Sequence, residues 1–485
     1  MFRPHNSRAK NLQRNIGVFV VLIIASFGVH VLNSSHAASP YVSAEAETGI
    51  VSSAAQSLTD TTGIASGGRY VQFGELVTTT TAGLSTPDAC PSGSVTVTPT
   101  SVPSFQANTN YCFASGSYAK FSITPLSGEG FYGGEKAILD GGNTLNSAFS
   151  TSTTLTNVVI DGFTIQNYYN SSNNQVPGVI EFQNGSNITV SNNTIENDRT
   201  TAVSWGGNTG AACCVIHNAG VSNGTITHNV VSNIGYSGTV VASGTDDTIS
   251  YNDISGTNND GANPEIDVTA LGKFAVDDGA QVIGNYVHNN NAAAIWFDDY
   301  NTNSTIKNNI IGPSNLDGIF YQLSFNAVIS GNTIIDNGAS DAGNGISAPG
   351  AGIRISSSGS SLDPPSPSSS LDGPQSITIS NNTLTGNHEG ITLYAGQKSI
   401  ATNNVHVTGN TTTGDTSSIG TDGDAWLAYL QDPSGEGNTF SANNYIANPT
   451  NIIFSDPGTT TWAGWKAEGL DNSGSSCKTT SGGSC

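Results

Sequence analysis

Between Asn303 and Ile335 the chain repeats one short phrase: an apolar residue, two small or polar residues, Asn, any residue, then a second apolar residue. The first copy sets Ile306, Asn309 and Ile311 in those slots, and the second sets Ile329, Asn332 and Ile334, an Asn offset of 23 residues. The phrase recurs as Val190, Asn193, Ile195; Ile226, Asn229, Val231; Ile249, Asn252, Ile254; and Val282, Asn285, Val287. It returns as Ile379, Asn382, Leu384 and as Ile400, Asn403, Val405, while Ile160, Phe163 and Ile165 carry Phe in the Asn slot. Short strands that meet at a corner with such a period predict a solenoid whose turns stack on one another. Longer offsets mark insertions, the largest of which holds the Ser- and Pro-rich stretch from Ser356 to Pro374 and reads as a protruding loop. Asn suits a corner because it tolerates left-handed backbone and its amide can bond to the turn above.

A second set of alternating phrases lies between the corners. These are Ile180 to Gln183, Val203 to Gly206, Ile295 to Asp298, Ile319 to Gln322, Ile353 to Ser356 and Ile391 to Tyr394. Alternation turns Ile295 and Phe297 inwards and Trp296 and Asp298 outwards. In register, Glu181, Ser204, Trp296, Phe320, Arg354 and Thr392 form one outward row, and Gln183, Asp298, Gln322, Ser356 and Tyr394 form the next. Two rows carrying aromatics and charges predict an exposed, extended groove, with Trp205 left in the core.

The chain divides around this repeat. Arg3, Arg8, Lys10 and Arg14, the apolar run Ile16 to Leu32 and the small-x-small Ser35-His36-Ala37 predict an export signal over residues 1–37. The alternative is that the run stays as a membrane anchor, since its length is near the lower limit for a span. Residues 38–104 read as a stalk or linker, 105–455 as the solenoid and 456–485 as a C-terminal cap and tail. Of six cysteines, Cys90 with Cys112 and Cys477 with Cys485 are expected to pair in an oxidising compartment, and the adjacent Cys213-Cys214 has no assignment. No Cys/His spacing suits zinc.

Charge narrows the partners. The formal net charge is −22, and removing the four basic residues of the leader leaves 10 basic against 36 acidic residues, or −26. Such a surface repels nucleic acid and anionic membranes, and it disfavours a polyanionic substrate unless a divalent cation bridges the carboxylates. It also keeps an exported protein soluble.

The strand, glycine corner and strand from Gly130 to Gly142, the Asn phrases and the C-terminal run Trp462 to Ser473 resemble the secreted right-handed parallel β-helix proteins of the pectin-lyase-like superfamily. The resemblance covers roughly Ser122 to Ser473 and implies an all-β, single-stranded β-helix. One bacterial branch looks similar through Pro264-Glu265 with Gly272-Lys273-Phe274, through Ala294 to Asp298, and through Gly318 to Gln322. Where that branch tends to have His-Glu, this chain has Tyr321-Gln322. Ala44-Glu45-Ala46-Glu47 and Ser66 to Phe73 resemble the opening strands of β-sandwich carbohydrate-binding modules. These resemblances imply a carbohydrate-active or carbohydrate-binding protein; the fold itself hosts lyases, hydrolases, epimerases and plain binders.

Three chemistries then compete. Glycoside hydrolysis needs two carboxyls about 5–10 Å apart; Asp298 is one candidate, with Glu265 or Glu181 as the second, while Asp299 faces away. Lyase chemistry needs a base and a neutralising cation, for which Lys273 and Arg354 are candidates. Lys273 and Asp298, one turn apart, form either a salt bridge or a poised pair. Calcium could assist through Asp260, Glu265, Asp267 or Asp277, although isolated loop Asp residues more often form turns. Trp296, Tyr300, Phe320 and Tyr394 are candidates for stacking on sugar rings, with Glu181 and Gln322 as polar contacts. His388-Glu389 reads as a turn. The sequence thus predicts a secreted or cell-surface monomer that binds an extended polysaccharide along one sheet. Hydrolysis is favoured slightly over lyase chemistry, a neutral glycan over an acidic one, and a non-catalytic adhesin-like binder is the alternative.

Overall fold

The computed structural model describes residues 55–59, 69–73 and 82–485, except 170–177, 207–219, 260–267, 299, 339–349, 357–374, 395–401, 414–425, 431–436, 448–453 and 456–458. Backbone alone is described at 55–59, 69–73, 135, 375, 394, 426–430, 447, 455, 459 and 460. The export leader, Cys213, Cys214, Asp260, Glu265, Asp267, Asp299 and nearly all of the Ser- and Pro-rich insertion fall outside the described residues. The chain forms two compact units, Met1–Thr78 and Thr79–Cys485. In the first, Ala55–Thr59 pairs antiparallel with Arg69–Phe73.

The second unit is a right-handed parallel β-helix. A typical turn carries three short strands, for example Thr305–Lys307, Ile310–Ile311 and Ile319–Gln322. Each pairs in parallel with its counterpart one turn on, here Val328–Ser330, Thr333–Ile335 and Ala351–Ser356. Strands this short cannot bury an apolar face alone, and stacking supplies the missing partner. Inward columns run through the stack: Ile160, Val190, Ile226, Ile249, Val282, Ile306, Ile329, Ile379 and Val407 lie in register on one sheet. All nine are almost wholly buried. On the third sheet Trp205 is in the core as expected, and Phe274 stacks on Phe297 at 4.3 Å between ring centroids.

The corner works by division of labour. Asn193, Asn229, Asn252, Asn285, Asn309, Asn332, Asn382, Asn410 and Asn443 form a ladder in which each amide oxygen accepts from the residue one turn back. For Asn309, the acceptor is Asn332 Oδ1, at 2.9 Å from both the backbone nitrogen and Nδ2, and Nδ2 also donates to Val282 O at 2.9 Å. Phe163, which stands in the Asn slot, still donates its N–H to Asn193 Oδ1 at 3.0 Å, so the ladder begins there. The left-handed backbone falls on the residue before each ladder Asn, at Asn308 (φ 55), Tyr251 (φ 54) and Gly331 (φ 65) among others, rather than on the ladder Asn itself.

Two expectations about extent are corrected. Val407, Asn410 and Thr412 make the copy placed above at Ile400, Asn403 and Val405, because Asn403 lies within the strand Asn403–Thr408. The stack also starts earlier than residue 105: Val95–Val97, inside the expected linker, pairs in parallel with Asn110–Phe113. Ahead of it, Gly83, Ser85 and Asp88 run along the flank of the helix, their backbone N–H groups donating to Tyr251 O, Asn192 Oδ1 and Asp161 Oδ2 at 2.8, 3.1 and 2.8 Å.

Both ends are closed. Phe105, Tyr111, Phe113, Tyr118 and Phe131 fill the first turns with edge and stacked ring contacts. At the other end the short helix Trp462–Ala467, capped by Thr461, lays Trp462 and Trp465 over Phe454. Asp471 terminates the ladder by accepting from Asn443 Nδ2, Tyr445 Oη and Trp465 Nε1. Disulfides Cys90–Cys112 and Cys477–Cys485 form as expected, with Cα separations of 5.7 and 5.4 Å.

Replacing Asn309 by Ala removes the acceptor of no other corner than that of Asn285, whose N and Nδ2 both point at it. Two buried donors left unpaired should cost about 3 kcal/mol in denaturant unfolding. Asn308→Gly, at a left-handed position, should stay within about 1 kcal/mol of the native protein.

Candidate functional site: the outward column of the third sheet

The register aligns Glu181, Ser204, Val240, Lys273, Trp296, Phe320, Arg354 and Thr392 in a single outward column, one residue per turn. Lys273 thus joins the row expected from the sequence. Its strand, Thr269–Ala275, carries a register shift between Thr269 and Gly272 that seats Lys273 beside Trp296. Gly272 is needed there, since a Cβ would stand 2.5 Å from Thr239 Oγ1.

Four members of the column stack in order. Lys273 Nζ lies 3.8 Å from the Trp296 ring centroid, Trp296 stacks on Phe320 at 5.2 Å with planes 23° apart, and the Arg354 guanidinium carbon is 5.5 Å from the Phe320 centroid. Two aromatic faces between two cations use the rings' negative faces at both ends. Carboxylates hold the cations from outside the stack: Asp298 Oδ2 is 3.2 Å from Lys273 Nζ, and Asp317 Oδ1 is 3.0 Å from Arg354 Nη2. Trp296 Nε1 donates to Gln322 Oε1 at 3.0 Å in the second row.

The expectation of a wholly exposed groove is corrected. Glu181, Lys273, Phe320 and Asp298 are each 5% exposed, and Arg354 is 1% exposed. Alternation fixes the direction of a side chain but not what covers it, and here Lys273, Trp296, Phe320 and Arg354 stack on one another. Trp296 and Gln322 keep partial exposure, so they form the open part of the face. Of the other expected residues, Tyr300 sits past its strand in a left-handed corner (φ 59), off both rows. Tyr394 pairs through its backbone with Ser356, and its side chain lies outside the described residues.

Glu181 and Asp298 are not brought together. Glu181 lies four strands from the strand of Asp298, roughly 19 Å at the usual inter-strand spacing. That exceeds the separation of a glycosidase carboxyl pair. The other suggested partner, Glu265, is outside the described residues. Asp277 is buried, with Asp247 nearby across Gly244, and the described residues contain no group of three His, Cys, Asp or Glu suited to a metal ion.

Sequence reasoning missed two carboxyls. Asp317 precedes its strand and looks like a turn residue, yet it is buried on Arg354. Glu389 is no turn: it opens the strand Glu389–Tyr394, is fully buried, and accepts from Thr392 Oγ1 at 2.7 Å. Burial, opposed by Arg354 and the Thr392 hydroxyl, pushes its pKa up to about 7. Burial likewise pushes Glu181 up to about 7, against the hydrogen bond from the Gly178 N–H, 2.9 Å from Oε2. The signal available in the sequence was an acid at a strand opening or on an outward row, which alone does not distinguish a surface from a buried site.

No family model matches the sequence, and no curated protein matches it. Among solved structures, the A-module of the mannuronan C-5 epimerase AlgE6 of Azotobacter vinelandii is similar at 12% identity, with 76% of this chain and 91% of that chain covered and a TM-score of 0.43. A PL6 alginate lyase in complex with a trisaccharide aligns at 15% identity over 78% of this chain and 82% of its own, TM-score 0.43. The tailspike of Escherichia coli bacteriophage HK620, in complex with a pentasaccharide, aligns at 15% identity over 74% of this chain and 61% of the tailspike, TM-score 0.42.

A carboxyl whose pKa rises on folding stabilises the fold below its unfolded value, and that contribution is lost as pH rises through the folded value. For Glu181 the window runs from about 4.5 to about 7. Glu181→Gln keeps an acceptor for Gly178 and removes the charge. It should therefore gain stability relative to the native protein at pH 8, by an amount of order 2 kcal/mol, and show little difference at pH 4 in denaturant titrations.

Proposed function

We propose that the protein is exported and binds a polysaccharide along the outward column of the third sheet, with Trp296 as the ring that meets the sugar and the buried Phe320 as its backing. The observation that carries this reading is the partly open Trp296, stacked on Phe320, fixed by Lys273 and hydrogen-bonded to Gln322. With its faces taken by Lys273 and Phe320, Trp296 offers a sugar its exposed edge, with Gln322 beside it for hydroxyls, and a pre-stacked ring loses little freedom on binding. The two disulfides suit an oxidising compartment, which supports export and a secreted or cell-surface location.

Within this reading, catalysis is narrower. Hydrolysis at Asp298 calls for Glu265 as the second carboxyl, with Lys273 holding Asp298 in place. Lyase chemistry is less favoured, because Lys273 and Arg354, which would neutralise a substrate carboxylate, already meet Asp298 and Asp317. The same closed ion pairs favour a second reading, in which the protein binds glycan without turning it over.

A glycan array with turnover assays on the bound hits separates these outcomes. Trp296→Ala should weaken binding about tenfold, in line with loss of a ring contact of about 1.5 kcal/mol, while leaving the fold intact by circular dichroism. Retained binding would remove Trp296 from the account. Turnover that survives both Asp298→Asn and Glu265→Gln would remove the hydrolase assignment, and no turnover in the native protein would leave the binder.

A further inference from the structure

The two cations of the ring column are countered by more acid than they need. Lys273 meets Asp298, and Arg354 meets Asp317, which is itself buried and also accepts from the Ala351 N–H at 2.6 Å. Glu389 then adds a second carboxyl to the surroundings of Arg354. It lies on the strand next to that of Arg354, in register with Ala351, and the Ala351 N–H in turn donates to Asp317, just ahead of the strand Ile319–Gln322. Thr392, the residue beside Arg354 in the column, donates to Glu389 Oε2, and Oε1 accepts no hydrogen bond among the described residues. Among the described residues, the charged groups that act on Glu389 are Arg354 on the neighbouring strand and Asp317 ahead of the strand Ile319–Gln322, with the titratable His388 before it in sequence.

We infer that Asp317 and Glu389 make the face selective for neutral glycans by cancelling Arg354, with Glu389 as the adjustable part of that filter. The inference rests on the reading of the ring column as a glycan site. Among the described residues, a sugar carboxylate arriving at the exposed edge of Trp296 would meet three carboxylates, Asp298, Asp317 and Glu389, against two cations, Lys273 and Arg354. In a partly dry setting that net negative charge acts over several ångströms, so a uronate is repelled while a hydroxyl-only sugar is not. Glu389 is enclosed and touches no substrate; it acts through Arg354 as a specificity-setting residue.

The sign of the pH effect follows. Above about 7 Glu389 is ionised and the filter is complete, whereas below it the proton leaves two carboxylates facing two cations. A uronate, with a carboxyl pKa near 3.5 like an α-carboxyl, stays charged across that range. Discrimination against acidic glycans therefore weakens as pH falls from 8 to 6.

The test compares a neutral oligosaccharide chosen from the array with the same oligosaccharide oxidised at C6 to the carboxylate, by calorimetry at constant ionic strength. The native protein should prefer the neutral form about tenfold at pH 8 and about threefold at pH 6. Glu389→Gln should show the smaller preference at both values, and Glu389→Asp should restore the pH dependence. A preference that Glu389→Gln leaves unchanged, or tighter binding of the oxidised form by the native protein, overturns the inference. Should Glu389→Gln not fold, a flat native preference between pH 6 and 8 overturns it instead. Failure of both oligosaccharides to bind the native protein removes the glycan-site reading itself, which is a different result from binding without discrimination.

Discussion

Each turn of this solenoid must close a corner whose peptide groups water cannot reach. An unpaired buried amide costs about 1–3 kcal/mol, and the cost would recur at every turn. The ladder from Asn193 to Asn443 meets that constraint by using each side-chain oxygen from Asn229 onwards twice, for the N–H and the Nδ2 of the residue one turn back. The tight bend is assigned elsewhere, to the residue before each Asn, where Asn, Gly, His, Tyr and Ala all take positive φ. Separating the bend from the bond lets the bend residue vary while the amide stays fixed.

A fixed corner sets register, and register builds the outward column of the third sheet. Because each turn starts from the same bonded Asn, residues far apart in sequence arrive one above another, so Lys273, Trp296, Phe320 and Arg354 become a single stack. Insertions between strands change the sequence spacing without changing this alignment. The stack also shows how an acidic chain keeps two cations nearly buried: aromatic faces take one side of each and carboxylates the other. A lone buried lysine or arginine would not be tolerated in this way.

The fold was legible because its signal is periodic. Apolar–Asn–apolar phrases gave the corner, and alternation gave the inward and outward columns, including the core position of Trp205. The signal faded where the flanking residues changed chemistry. Thr412 breaks the apolar slot after Asn410, and Phe440 and Tyr445 replace aliphatic residues around Asn443, so two rungs of the ladder were misplaced or missed. Cover was not legible at all. A strand pattern says which way Arg354 and Glu181 point, but their burial depends on contacts between distant segments. Asp317 and Glu389 escaped for the same reason, since an acid at a strand opening has the same local sequence whether it faces solvent or a guanidinium.

The central claim is that the outward column is where this protein meets a glycan, through Trp296. The structure of a complex with a neutral oligosaccharide tests it most directly. The account predicts a sugar ring against the exposed part of Trp296, with a hydroxyl at Gln322 and the chain of sugars running along the stack of turns. An oligosaccharide bound away from the third sheet, with Trp296 and Gln322 untouched, would contradict it.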